Sequence, residues 1–127
     1  MFATIVLAIG AAFFVFTSVY ALAKPTQFAK PLGLALPGAD GLNEVRAQYG
    51  GFFLISGLVV AASLVGQIPR EWGLVVLAVT FGGLICGRLL ALIAERSFAR
   101  YGTTIRALFL IDSCGFLLAI FALTHGA

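Results

Sequence analysis

Two residues of opposite charge stand where charge is expensive. Asp112 lies between Leu108-Phe109-Leu110-Ile111 and Phe116-Leu117-Leu118, and Arg88 lies within Cys86-Gly87-Arg88-Leu89-Leu90, each inside a long apolar stretch. A carboxylate at the centre of a membrane span costs roughly 2.5 to 3.5 kcal/mol on insertion scales, so Asp112 is expected to have a partner. Arg88 is the only other charge set as deeply. A planar guanidinium can engage a carboxylate through two hydrogen bonds at once, which suits a desolvated pair better than lysine would. A third polar string, Asn43-Glu44-Val45-Arg46-Ala47-Gln48-Tyr49-Gly50-Gly51, opens another apolar stretch. Glu44, Arg46 and Tyr49 are expected to converge with Arg88 and Asp112 into one cluster, with two acids against two arginines and a tyrosine hydroxyl beside them.

Two readings of that cluster stay open. Closed on itself, it fixes helix register and depth and binds nothing. Left open, it floors a cavity for a polar headgroup, with Arg88 or Arg46 on a phosphate, carboxylate or quinone oxygen and Glu44 or Asp112 orienting the arginine. Catalysis by the chain alone is not expected. There is no serine beside a histidine and an acid, no Gly-rich phosphate loop and no metal-ligand spacing, so no catalytic residue and no metal are assigned. Ser56, Ser63 and Ser113 fall on helices, where hydroxyls hydrogen-bond to the backbone more often than they attack substrates. His125 is the one histidine, which excludes a bis-histidine haem within this chain alone. Cys86 and Cys114 read as small buried hydrophobes rather than a disulfide.

The elements that position these residues follow from composition. The 127 residues are 61% hydrophobic and only 10% charged, against about 25% charged in an ordinary soluble domain, and mean hydropathy is +1.10. These values describe an integral membrane protein. A net charge of +3 from scattered basic residues gives no nucleic-acid surface; Lys and Arg serve as topology markers instead. A spanning helix needs about 20 mainly apolar residues, and four stretches qualify: 2–23, 45–65, 72–94 and 103–124. The chain is therefore expected to be all-α, a single four-helix membrane bundle over residues 1–127. Ala21-Leu22-Ala23 resembles a signal-peptidase site, but no basic residue precedes the first apolar run and the run exceeds a signal h-region, so a retained helix is expected.

Loops one and three carry Lys24, Lys30, Arg46, Arg96, Arg100 and Arg106, and the opposite side carries Arg70 alone. This asymmetry places loops one and three in the cytoplasm and both termini on the outer, periplasmic side. Loop one is apolar through Phe28, Leu32, Leu34 and Leu36, yet Pro25, Pro31 and Pro37 forbid a continuous helix. It is expected to lie along the membrane surface or tuck against the bundle. At 1.5 Å per residue, Arg88 is about 10 Å from Glu95 and Asp112 about 13 Å from Thr103, so their depths match. Gly83-Leu84-Ile85-Cys86-Gly87 is a GxxxG pattern, which with Gly50, Gly51, Gly57, Gly115 and Ala119 is read as close packing inside the bundle, the alternative being a homodimer seam.

The string from Asn43 to Gly51, with Gly82-Gly83 and Gly87-Arg88 later in the chain, resembles a bacterial four-span membrane family known as domain of unknown function 4345. The resemblance covers most of the chain, and its distinctive part is Asn43-Glu44-x-Arg46-Ala47-x-Tyr49-Gly50-Gly51. That family resembles in turn the broader DoxX-like group, some of whose members are subunits of quinone-linked oxidoreductases. The resemblance implies a multi-pass protein of the bacterial inner membrane and marks Glu44, Arg46, Tyr49 and Arg88. The resemblance implies a fold and a polar site rather than a reaction. With almost no extramembrane mass and many apolar residues, 12 Phe among them, the chain is expected to be a non-enzymatic accessory subunit of a larger redox, photosynthetic or transport complex, with other integral membrane subunits and lipids as partners. No intrinsic cofactor is expected, though lipid, quinone or pigment could be held. The alternative is a membrane protein that binds or carries a small molecule or lipid headgroup at the Arg/acid cluster.

Overall fold

Four long helices run antiparallel in chain order. The computed structural model describes residues 1–126, which are mostly helical with no strand among them. α1 spans Phe2–Ala23 and stops at Lys24, whose φ of −136° reflects the restriction that Pro25 places on its predecessor. Pro25 then opens the short α2, Pro25–Ala29, at its first position, where a missing N–H costs nothing. A 3-10 turn at Lys30–Leu32 ends on Gly33 with φ +74°. The second span begins as α3, Ala39–Val45, passes through a π-helical turn at Arg46–Gly51 and continues as α4, Phe52–Leu64. α5 covers Arg70–Glu95 behind Pro69, and α6 covers Thr103–Thr124.

All four of these helical stretches, Phe2–Ala23, Ala39–Leu64, Arg70–Glu95 and Thr103–Thr124, are long and apolar enough to cross a membrane. The ends expected from sequence hold to within two residues for three spans, while the second starts six residues before the expected Val45. Its polar first turns are helical because the backbone there still forms helix bonds outside the apolar stretch. Helix is the economical solution in lipid, where each unpaired N–H or C=O costs several kcal/mol.

Helix neighbours form a ring: α1 packs on α4, α4 on α5 and α5 on α6, while α6 returns to α1 through a much looser seam. Leu7 and Phe14 of α1, Val60 of α4, Leu74, Leu77 and Phe81 of α5 and Ala119 of α6 are buried at the centre. Lipid gives helices no hydrophobic reason to associate, so close fit matters more. The fit between α5 and α6 is reciprocal. A Cβ on Gly82 would come within 2.9 Å of the Phe116 ring, and one on Gly115 within 2.6 Å of Phe81.

The GxxxG expectation needs correcting. Gly83 and Gly87 have open space where a Cβ would stand, and both are exposed. Successive residues turn by about 100° around a helix, so Gly82 rather than Gly83 meets α6, and the GxxxG ridge makes no close contact within the bundle. Cys86 and Cys114 are free but exposed, not buried as expected, Cys114 lying where α6 meets α1 only loosely. Loop one tucks against the bundle: Ala29 is fully buried with Ala21 and Val45, and Phe28, Leu36 and Tyr49 pack around them.

Candidate functional site

Arg88 and Asp112 meet. Arg88 Nε donates to Asp112 Oδ2 at 2.6 Å, joining the facing sides of α5 and α6 at the depth that residue counting gives. Asp112 is 1% exposed and the Arg88 side chain 22%, and this difference shapes the site. The Asp112 side chain is buried, whereas the Arg88 side chain keeps contact with open space. Among the described residues, no hydrogen bond to protein involves the Arg88 Nη groups, and no other salt bridge forms.

That open space is a cavity of about 330 Å³, within the range of small-ligand sites. Arg88 and Asp112 supply its charged wall, while Tyr20, Tyr49, Thr17 and Thr104 add hydroxyl-bearing side chains. Phe13, Phe28, Phe53 and Leu84 make most of the remainder apolar, and Pro31, Leu32 and Leu34 of loop one border it. A larger hollow of about 540 Å³ between the π turn and α5 includes Gln48, Tyr49 and Gly83 but no charged side chain. The smaller cavity is therefore the chemically equipped one.

The π turn brings Tyr49 to the cavity. Phe52 N–H bonds to the Ala47 carbonyl, five residues back, which widens the helix locally; such turns recur at functional sites. Gly50 makes the turn fit, since a Cβ there would come within 2.5 Å of Leu22 on α1. Tyr49 then stacks into an aromatic series, 5.2 Å from Phe28 and 5.9 Å edge-on to Phe53. Tyr20 approaches Phe28 from the other side at 5.8 Å. The distinctive polar string of the sequence thus falls on a distorted helical segment and aims one residue, Tyr49, inward.

Glu44 and Arg46 go elsewhere, which corrects the five-residue cluster expected from sequence. Glu44 is exposed and accepts from Gln48 Nε2 at 3.0 Å, one helical turn away. Arg46 Nε donates to the Leu22 carbonyl at 3.2 Å, capping the C-terminal end of α1, where a cation also complements the helix dipole. Both face the bundle end, not its interior. Depth was the misleading quantity: matching distance from the membrane surface does not specify the side of the helix, and the π turn shifts the register of everything before it.

Sequence reasoning passed over Tyr20, Thr17, Phe13 and Thr104, although spacing could have found them. Phe13, Thr17 and Tyr20 recur at i, i+4, i+7 on α1, as Thr104, Leu108 and Asp112 recur at i, i+4, i+8 on α6. These are single helix faces. The serines behave as expected, with Ser63 donating to the Val60 carbonyl at 2.8 Å and Ser113 to that of Phe109 at 2.6 Å.

No curated protein and no solved structure matches the chain. A family model matches residues 2–123, all four spans included, and the chain belongs to the family described as Domain of unknown function (DUF4345).

Proposed function

We propose that the protein is a non-catalytic membrane protein that holds a polar-headed lipophilic molecule in the cavity bounded by Arg88, Asp112, Tyr20 and Tyr49. The observation that carries this reading is the half-used guanidinium. Asp112 engages Nε and offsets the charge, leaving the Nη N–H donors without a partner among the described residues, on a side chain that lines the cavity. A purely structural pair would be satisfied by closing both faces of the arginine, since unmet donors in a low-dielectric setting are costly. The tyrosine rings and phenylalanines provide the apolar body of a typical ligand site, and the few convergent polar groups provide orientation.

The bacterial inner membrane, with loops one and three in the cytoplasm, is the setting proposed. Six of the seven Lys and Arg of the loops and helix ends named above lie at the bundle end that carries the cavity, which supports that orientation. Membership of a larger assembly is a companion reading. The exposed Gly83 and Gly87 favour it, because they leave backbone accessible for another helix to approach. Likeness to the DoxX-like group, which includes subunits of quinone-linked oxidoreductases, supports the same view.

Native mass spectrometry of protein released gently from its membrane tests the binding reading. The wild-type protein is expected to carry a non-protein adduct that is lost from the Arg88→Leu/Asp112→Leu double variant. Equal adduct occupancy in both would refute it. Recovery of the wild-type protein only as a free monomer would count against the companion reading.

A further inference from the structure

We infer that the occupant is an electrically neutral, single-chain amphiphile, its headgroup on Arg88 and its chain along the seam between α1 and α6. This deepens the proposed binding function and rests on it. Two observations carry it.

The first is charge balance. Among the described residues, Arg88 and Asp112 are the only charged ones lining the cavity, and they are already paired at 2.6 Å. A bound anion would leave a net negative charge in a poorly solvated site and would crowd the Asp112 carboxylate. A neutral acceptor such as an alcohol, ester or carbonyl oxygen takes the Nη donors without that cost. Tyr20 and Tyr49 can donate to the same oxygen or accept from a hydroxyl.

The second is the groove that adjoins the cavity. Phe13 lines both the cavity and an apolar trough of about 380 Å³ between α1 and α6, floored by Leu77 and Phe81 of α5. On α6 the changeover occurs between Asp112, which faces the cavity, and Ile111, Cys114 and Leu118, which face the trough. The trough exists because α6 meets α1 only loosely. From Phe13 to Phe2 it runs about 16 Å, close to the roughly 15 Å depth of one leaflet's hydrocarbon. Phe2, at its far end, packs edge-to-face on Phe121 at 5.3 Å. The two spaces share Phe13, so a head at Arg88 with one chain passing that ring into the trough is a route that a branched two-chain lipid would not follow.

Photo-crosslinking in nanodiscs tests this directly. The probe is a long-chain alcohol matched to the trough length, carrying a mid-chain diazirine, and adducts are mapped by peptide mass spectrometry. Expected are adducts at Ile9, Phe13, Cys114 and Leu118, suppressed by excess unlabelled alcohol. The carboxylate of equal length, held above its pKa, should compete at least about tenfold less well. Cys114→Trp, which fills the trough, should abolish the adducts. Tyr49→Phe should weaken labelling several-fold, giving a second readout should the Arg88→Leu/Asp112→Leu variant fail to fold. Labelling spread over outer helix faces, yet still dependent on Arg88, would overturn the chain placement and leave the cavity reading standing. Equal competition by the carboxylate would overturn the neutral headgroup. Trough labelling unchanged by both Tyr49→Phe and the double variant would mean that bulk lipid fills it, and would overturn the inference and the binding reading together.

Discussion

Removing Arg88 and Asp112 singly and together separates their roles most sharply. Arg88→Leu strands a carboxylate that is 1% exposed, a change that costs about 3 to 5 kcal/mol when a buried pair loses one partner. Asp112→Leu is milder. Arg88 keeps 22% exposure and can turn toward the cavity, so the loss approaches that of one charge-assisted hydrogen bond, about 1.5 to 3 kcal/mol. In the double variant two leucines meet where an ion pair was, with no charge left to desolvate, and the net change should fall within about 1 kcal/mol of wild type. The coupling energy is then about 3 kcal/mol or more. Polar interhelical contacts in membranes average about 0.6 kcal/mol, so a value well above that identifies a buried ion pair. Reversible unfolding in mixed micelles, followed by circular dichroism, measures it. Additivity of the single effects to within about 0.5 kcal/mol would refute the reasoning. Ligand retention in the same proteins is a separate readout: all three variants should lose it, including the double variant that folds well.

Gly115→Leu should destabilise the bundle by about 1 to 3 kcal/mol, since even its Cβ would press into the Phe81 ring; a thermal melt in detergent checks this. Gly83→Ala, with open space at that position, should leave monomer stability within about 0.5 kcal/mol and reveal itself, if at all, as loss of an associated subunit on native gels. Arg46→Ala should cost about 0.3 to 1 kcal/mol through the lost cap on α1 and leave adduct occupancy unchanged, because Arg46 does not reach the cavity.

The fold was legible because lipid leaves few choices: four long apolar runs separated by Pro- and Gly-containing breaks define four helices whatever their neighbours do. The Arg88–Asp112 contact was legible for a related reason. Charge in hydrocarbon must be paired, and Arg88 was the other charge set within an apolar run. Rotation about the helix axis was not legible. Gly82 and Gly83 are adjacent in sequence, yet one touches Phe116 and the other meets open space, a distinction that hydropathy cannot make when lipid-facing and core-facing residues are equally apolar. The π turn at Arg46–Gly51 was hidden for the same reason, and it separates Glu44 and Arg46 from a site to which their depth assigned them. Tyr20 went unnoticed as a cavity residue because an aromatic near a helix end also suits the membrane interface.

An experimental structure of the protein extracted with its native lipids tests the central claim most directly. The account predicts non-protein density in the cavity beneath loop one, with a polar atom within about 3.2 Å of an Arg88 Nη nitrogen and an apolar extension past Phe13 toward Phe2. A cavity holding only water, with lipid confined to the outer helix faces and both Nη groups bonded to protein, would contradict it.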